Sequence, residues 1–526
     1  MHRDAPTPDT GLTKKAVHGT WWLMIVTIGR QVLSIASMAT VARILGPGAY
    51  GIMAMAALVL IFVSNMRDLG TGTAIIQRPE ISYRLLSSLF WLNFFTGLAM
   101  ALALVVTSGL VAHFFKTPAL VPILYALSSS FWVVSCGIVH NSLLIREMKF
   151  RALACCDLSA GLIAYVIALV SAFSGLGVWS LVLANVASSL VATLMYWFAA
   201  GWKPSLVFDT AELKSVMKFS LNLTGFAFVN YFNRNADNMI VGKFLGEAAL
   251  GDYQMAYSLM LSPIQNVTSV IAQATFPSFS RIQNDIRRFR SAFVRECMLV
   301  SLVTFPMMAG LGVVASPLTR VVLGPKWVGV IPIFIALAPV GLVQSVASLV
   351  GQIYTARART DLMFLWSIIT CVFSIAAFLV GAHFQALGVA VAYCIVYCGL
   401  LMYPGFIIPF ALIDLKFKSV AGALFPQFII TIAMTGTCLA WMRILVVLDI
   451  SSPRIVLVTT VFVGAVLYMG AIVVLRPPVV DVLREVLRGF DRPRLARFLN
   501  SVSKLPMLKI WGRFTPILEV SGRDDL

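Results

Sequence analysis

The sequence predicts an all-α integral membrane protein of about fourteen transmembrane helices: two six-helix bundles related by a parallel pseudo-two-fold repeat, plus two appended helices. Three observations predict it. The chain of 526 residues is 59% hydrophobic and 12% charged, with mean hydropathy +0.90, too little charge to cover a water-facing surface. Apolar runs of about 18 residues or more recur along it, each long enough to cross a hydrocarbon core. A stretch beginning at Leu45 returns at Leu245, an offset of 200.

The apolar windows place spans near 17–44, 48–66, 86–112, 119–141, 152–173, 176–200, 216–244, 249–275, 293–316, 328–354, 362–382, 386–411, 420–441 and 455–475. The breaks between them carry turn residues, as at Gly46-Pro47-Gly48, Thr117-Pro118, Gly175-Leu176-Gly177, Gly324-Pro325 and Ser452-Pro453. The run starting at Trp21 lacks a small-residue cleavage site after a short apolar core, so it reads as a retained helix. No connection between spans exceeds about 20 residues, which leaves no room for a soluble catalytic domain.

Basic residues set the orientation. With the N-terminus inside, the inner connections hold 21 Lys and Arg, the tail from Arg476 holds 10, and the outer turns hold 7. That imbalance puts both termini in the cytoplasm. The net charge of +18 is therefore a topology signal, and nucleic acid is not a partner. Eight cysteines lie in apolar segments without a Cys-x-x-Cys pair, so they read as packing residues; Cys394 and Cys398 share a helix face, but no metal is expected there.

The repeat is specific in its details. Leu45-Gly46-Pro47-Gly48-Ala49-Tyr50-Gly51 with Met55-Ala56 matches Leu245-Gly246-Glu247-Ala248-Ala249-Leu250-Gly251 with Met255-Ala256, and Arg43 aligns with Lys243. Six helices is an even number, so the second set enters the membrane with the orientation of the first. The expected domains are 1–200 and 201–412 as six-helix lobes, 413–476 as two appended helices, and 477–526 as a cytoplasmic amphipathic basic tail. In that tail, Val479, Val480, Val482, Leu483, Val486 and Leu487 alternate with charged residues at helical spacing. The pattern suits a helix lying on the inner leaflet or a loosely ordered basic tail.

The same residues carry a family resemblance. Leu45–Pro79, with Asp68-Leu69-Gly70-Thr71-Gly72 near its close, resembles the opening signature of bacterial polysaccharide-export flippases. Asn235–Gly246, Pro263–Val267 and Phe276–Gln283 resemble the colanic-acid-exporter-like branch of this polysaccharide transporter family, within the multidrug/oligosaccharidyl-lipid/polysaccharide superfamily. The likeness covers roughly the first 410 residues. It implies two bundles around a central cavity, alternating access, and an undecaprenyl-diphosphate-linked oligosaccharide as cargo. It further implies an inner-membrane monomer among membrane lipids, with the polysaccharide polymerase and chain-length machinery as partners. One departure is Ala358, where the family has glycine; alanine there is expected to add local helicity.

Two arginines fall inside helices. Arg30, with Thr27, Ser34 and Ser37 on its face, costs at least about 2.5–3.5 kcal/mol at mid-bilayer, so it must face water or a partner. Its planar fork suits a diphosphate; a buried ion pair is the other reading. Arg234 lies on one helical stripe with Asn230, Asp237 and Asn238. There the arginine suits phosphate and the amides suit sugar hydroxyls, so Arg30, Arg234, Asn230 and Asn238 are the expected substrate-binding residues. Asp237 is either the internal partner of Arg234 or the site of a coupling ion, H+ or Na+; no other cofactor is expected. Asp157 and His140 read as structural, near the inner surface.

Absences narrow the function. No Gly-x-x-x-x-Gly-Lys-Ser/Thr loop indicates direct ATP drive, and no His-Glu-x-x-His or Gly-x-Ser-x-Gly motif indicates hydrolysis. The chain is expected to be a transporter rather than an enzyme. An ion-coupled multidrug exporter of the same fold and a membrane-embedded oligosaccharide polymerase or ligase are the alternatives. Cationic drugs would want carboxylates where this chain has two arginines against Asp237, and a polymerase would want larger outer loops.

Overall fold

The computed structural model describes residues 35–67, 71–78, 80–282, 285–475, 478–480 and 482–483, with 29, 31 and 33, and leaves out some side chains of the helix at 210–282. Among the described residues every regular element is a helix. In order these are α1 (Ile35–Leu45), α2 (Pro47–Arg67), α3 (Thr71–Gln77), α4 (Tyr83–Phe115), α5 (Leu120–Ser135), α6 (Ile138–Arg146), α7 (Phe150–Phe173) and α8 (Trp179–Ala200). Then follow α9 (Thr210–Ile282), α10 (Ile286–Val313), α11 (Ala315–Val322), α12 (Val330–Ala347), α13 (Gly351–Ala356), α14 (Thr360–Ala382) and α15 (Gln385–Cys394). A π-helical stretch at Ile395–Leu401 leads into α16 (Met402–Ala411), α17 (Phe417–Val447) and α18 (Pro453–Leu475). Ten spans among the described residues are long and apolar enough to cross a membrane, and α5 with α6, bent by 41°, makes an eleventh. The spans expected at 216–244 and 249–275 fall within α9, and α1 is the described end of the first.

Helix ends follow local chemistry. Ser82 Oγ accepts the Leu85 N–H at 2.9 Å to start α4, and Asp285 Oδ1 accepts the N–H groups of Arg287 and Arg288 at 3.0 Å to start α10. The repeat is written in backbone torsions. Gly46 and Gly246 both have φ of 85°, a conformation that a side chain disfavours, and each introduces a helix carrying a second glycine of the motif. Those helix starts cross closely. A Cβ on Gly51 would lie 1.7 Å from the Glu247 carbonyl oxygen, and one on Gly251 would lie 2.0 Å from the Pro47 oxygen. Each glycine thus meets the repeat mate of the other's neighbour, as a two-fold relation requires.

A second matched pair of turns recurs later in each repeat. Met148, between α6 and α7, has φ of 53°, and Ala358, between α13 and α14, has φ of 50°. The following N–H groups close alike: Lys149 to Leu144 O and Arg359 to Tyr354 O, both at 2.9 Å. Ala358 therefore does not extend a helix, as expected from its type; it occupies the left-handed turn that ends α13, where glycine would sit without strain.

The chain packs as two compact units, Met1–Gly251 and Asp252–Leu526. In the first, the segment 201–209 is bolted to the N-terminal end of α4. Tyr83 donates to Lys203 O, Trp91 Nε1 to Ser205 O at 2.8 Å, and the Asp209 N–H to Ser88 Oγ at 2.8 Å. His140 is fully buried there, stacked on Trp197 at 4.4 Å with Nε2 3.2 Å from Trp202 O. It is a core residue rather than an interfacial one, because Trp197 near the end of α8 and Trp202 just after that helix pack against it.

In the second unit, Phe289, Phe293, Ile353, Phe410 and Val420 belong to one main core. The appended helices α17 and α18 pack on α10: Ile430, Met434, Cys438 and Tyr468 cluster, and Tyr468 donates to Leu302 O at 2.9 Å. Val479, Val480 and Val482 are buried, two of them in that main core. The apolar side of this segment meets protein rather than lipid, and the tail beyond residue 483 lies outside the described residues.

Candidate functional site

The polar stripe of α9 is the first candidate. Arg30 lies outside the described residues, and Asn230 is described only as helical backbone. Arg234 is exposed, whereas Asp237 and Asn238, one turn nearer the glycine crossing, are 5% and 7% exposed. The Asn238 N–H donates to Asp237 Oδ1 at 2.7 Å, and Asn238 Oδ1 has no hydrogen-bond partner among the described residues. Among those residues no ion pair joins Arg234 to Asp237. The stripe is thus split in environment: the turn at Asp237 and Asn238 is packed, and its arginine is accessible. The turn before Arg234 packs on α2: Tyr231 donates to Leu58 O at 2.7 Å, and Phe62 meets the rings of Tyr231 and Phe232 edge-on.

Two cavities accompany the stripe, one in each unit, and neither was foreseen from the sequence. In the first unit a polar pocket of about 330 Å³ opens at the α5–α6 bend, between α3, α6 and α8. Tyr196 on its wall donates a short hydrogen bond to Asp157 of α7. The signal in the sequence was Ser189, Thr193 and Tyr196, spaced to share one face of α8. Of the segment 68–72, Thr71 and Gly72 lie at the start of α3; Gly72 borders this pocket, and 68–70 lie outside the described residues.

In the second unit a groove of about 350 Å³ runs between α10, α12, α16 and α17. Its walls are entirely apolar and include six phenylalanines: Phe305, Phe406, Phe410, Phe417, Phe425 and Phe428. The phenylalanine-rich run from 406 to 428 was its sequence signal. Also in this unit, Glu296 is buried on α10 and accepts from Gln352 Nε2 at 3.3 Å. Among the described residues no group of His, Cys, Asp or Glu is gathered to hold a metal ion.

Against known proteins, residues 40–332 match the family described as polysaccharide biosynthesis protein. The chain is 29% identical over 388 residues to the lipopolysaccharide biosynthesis protein WzxC of Escherichia coli, covering 73% of this chain and 79% of that one. It is 26% identical over 369 residues to the succinoglycan biosynthesis transport protein ExoT of Rhizobium meliloti, covering 70% and 75%. Its fold is similar to that of the lipid II flippase MurJ in an inward closed conformation, with a TM-score of 0.67 at 17% identity over 85% of this chain and 97% of that one.

Proposed function

Because the chain belongs to the polysaccharide biosynthesis protein family, we propose that it is a flippase that moves an undecaprenyl-diphosphate-linked oligosaccharide from the inner to the outer leaflet. The protein is a multi-pass membrane protein. In this reading it sits in the inner membrane with both termini cytoplasmic, on the basic-residue imbalance. It serves exopolysaccharide or lipopolysaccharide assembly, delivers to a polymerase, and catalyses no bond change. The names of its relatives, a lipopolysaccharide biosynthesis protein and a succinoglycan transport protein, support the sugar cargo.

The observation that carries the reading is the apolar groove of the second unit. Six phenylalanines on membrane-crossing helices offer a surface suited to a hydrocarbon chain and to nothing charged. A lipid-linked sugar also needs an anion partner, and the accessible Arg234 on α9 supplies a planar, permanently charged one. Asn230, Asn238 and the undescribed Arg30 belong to the same proposed site. Asp237 binds the coupling ion, H+ or Na+, from its packed position. Transport then draws on an ion gradient or on membrane potential, worth about 2.3 kcal/mol per charge per 100 mV.

The test is reconstitution of the full chain in vesicles holding a fluorescent undecaprenyl-diphosphate oligosaccharide. Gradient-stimulated loss of fluorescence to an impermeant quencher is expected. Drug efflux without lipid movement would favour the multidrug exporter, and a lengthened glycan would favour the polymerase.

A further inference from the structure

We propose that the polar pocket of the first unit holds one sugar ring of the cargo's headgroup, a reading that rests on the flippase assignment above. The pocket's chemistry decides the ligand class. Its hydroxyl protons are already committed to main-chain carbonyls: Ser142 Oγ to Ile138 O at 2.9 Å, Ser189 Oγ to Val186 O at 2.8 Å, and Thr193 Oγ1 to Val133 O at 3.1 Å. Each of these oxygens lines the pocket with lone pairs to offer and no proton. The Tyr196 proton is spent on Asp157 as well, and the Asn141 side chain hydrogen-bonds the same phenol. The pocket is therefore rich in acceptors, with a carboxylate behind it and, among the described residues, no basic side chain on its walls.

A diphosphate is all acceptor and would be repelled there. A sugar is the complement, since every hydroxyl brings a donor. Volume separates it from a bare cation. About 330 Å³ corresponds to roughly ten waters at about 30 Å³ each, far more than one dehydrated ion fills and near the lower end for organic ligands. Small residues keep that space open: a Cβ at Gly72 would approach Ser142 Oγ to 3.0 Å, and one at Gly137 would approach Thr193 Oγ1 to 3.1 Å. The wall is also held rigidly. Arg146 donates through one nitrogen to Ile75 O and Arg78 O, both at 2.6 Å, fixing the end of α3 against α6.

The experiment compares four lipids on the full chain in native mass spectrometry titrations. One is undecaprenyl diphosphate; the others are undecaprenyl diphosphates carrying a single glucose, galactose or N-acetylglucosamine. Asn141→Ala and Tyr196→Phe should each weaken the best-bound sugar-bearing lipid about three- to tenfold, the range for one lost hydrogen bond. Ala192→Trp, which fills the pocket, should weaken it by at least about tenfold. Binding of the sugar-free lipid should stay within about twofold in all three. Equal losses for both lipids, or no loss for either, would overturn the sugar subsite while leaving the flippase reading intact. If the parent chain binds neither lipid, the flippase reading fails and the subsite with it. Thermal unfolding of each variant within a few degrees of the parent guards against a misfolded comparison.

Discussion

The close crossing of Gly51 with Glu247 and of Gly251 with Pro47 makes a quantitative demand on those two glycines. An alanine Cβ would lie 1.7 Å from a carbonyl oxygen at one site and 2.0 Å at the other, where ordinary contact begins at 3.4 Å. The obstructing atoms are main chain, so no side-chain rotation relieves them. The two helix starts must part by about 1.5 Å, forfeiting the contacts of a tightly packed crossing, at about 1–3 kcal/mol. That free energy falls on whichever conformation contains the crossing. If the protein alternates between a form with this outer crossing closed and one with it open, Gly51→Ala shifts the ratio toward the open form by about 5- to 150-fold. Met55 is the reporter, one turn below Gly51 and fully buried. In a background lacking the native cysteines, Met55→Cys should react slowly with an impermeant maleimide applied outside intact cells. Adding Gly51→Ala should raise that rate by at least about fivefold, and Gly251→Ala by a similar factor. Unchanged labelling in the double alanine variant, at normal protein abundance, would refute the crossing as an outer closure.

The remaining expectations are shorter. Arg234→Ala should abolish polymer export with membrane abundance near normal, and Arg234→Lys should restore only part, because an ammonium cannot chelate two phosphate oxygens; normal export by the alanine variant removes Arg234 from the site. Ala358→Gly should raise thermal stability by up to about 1 kcal/mol, as relief of the left-handed strain exceeds the entropy glycine loses, and Ala358→Val should lower it; differential scanning fluorimetry of the purified protein measures both. Reporter fusions at Lys116, Lys326 and Asp449 should report the outer side, and those at Lys149, Lys214 and Arg287 the inner side, with reversal at two sites enough to discard the orientation.

Hydropathy made the spans legible because a membrane helix must satisfy its own backbone, so length and apolarity nearly determine it. The repeat was legible for a different reason: Gly46 and Gly246 answer a torsional requirement, Gly51 and Gly251 a steric one, and both requirements recur with the fold. Local chemistry read from residue type alone was less reliable. Alanine at 358 suggested helix, but the matching turn at Met148 places that position in the left-handed region whatever residue fills it. The polarity of His140 suggested an interface, and Trp197 of α8 with Trp202 just after that helix buries it. Helical periodicity grouped Arg234, Asp237 and Asn238 on one face, yet it is blind to how neighbouring helices converge along the axis, which separates the exposed arginine from its buried neighbours.

The two repeats keep one backbone plan while their chemistry has diverged, and the divergence matches an amphiphilic cargo. At the offset that pairs Met148 with Ala358, Asp157 corresponds to Ser367, so the carboxylate that anchors Tyr196 beside the first unit's pocket has only a hydroxyl as its counterpart. Ser367 instead turns its proton back to Met363 O at 2.8 Å, a bond internal to its own helix. The second unit in turn concentrates phenylalanine along α16 and α17, and the two appended helices supply part of that wall and its support. A pair of identical bundles would offer an amphiphile the same environment twice. Here the first unit carries the cavity lined by hydroxyls and an amide, and the second carries the apolar one. The division also makes the two ends separable by experiment, since filling the first unit's pocket acts on sugar recognition and altering the phenylalanine groove acts on the lipid.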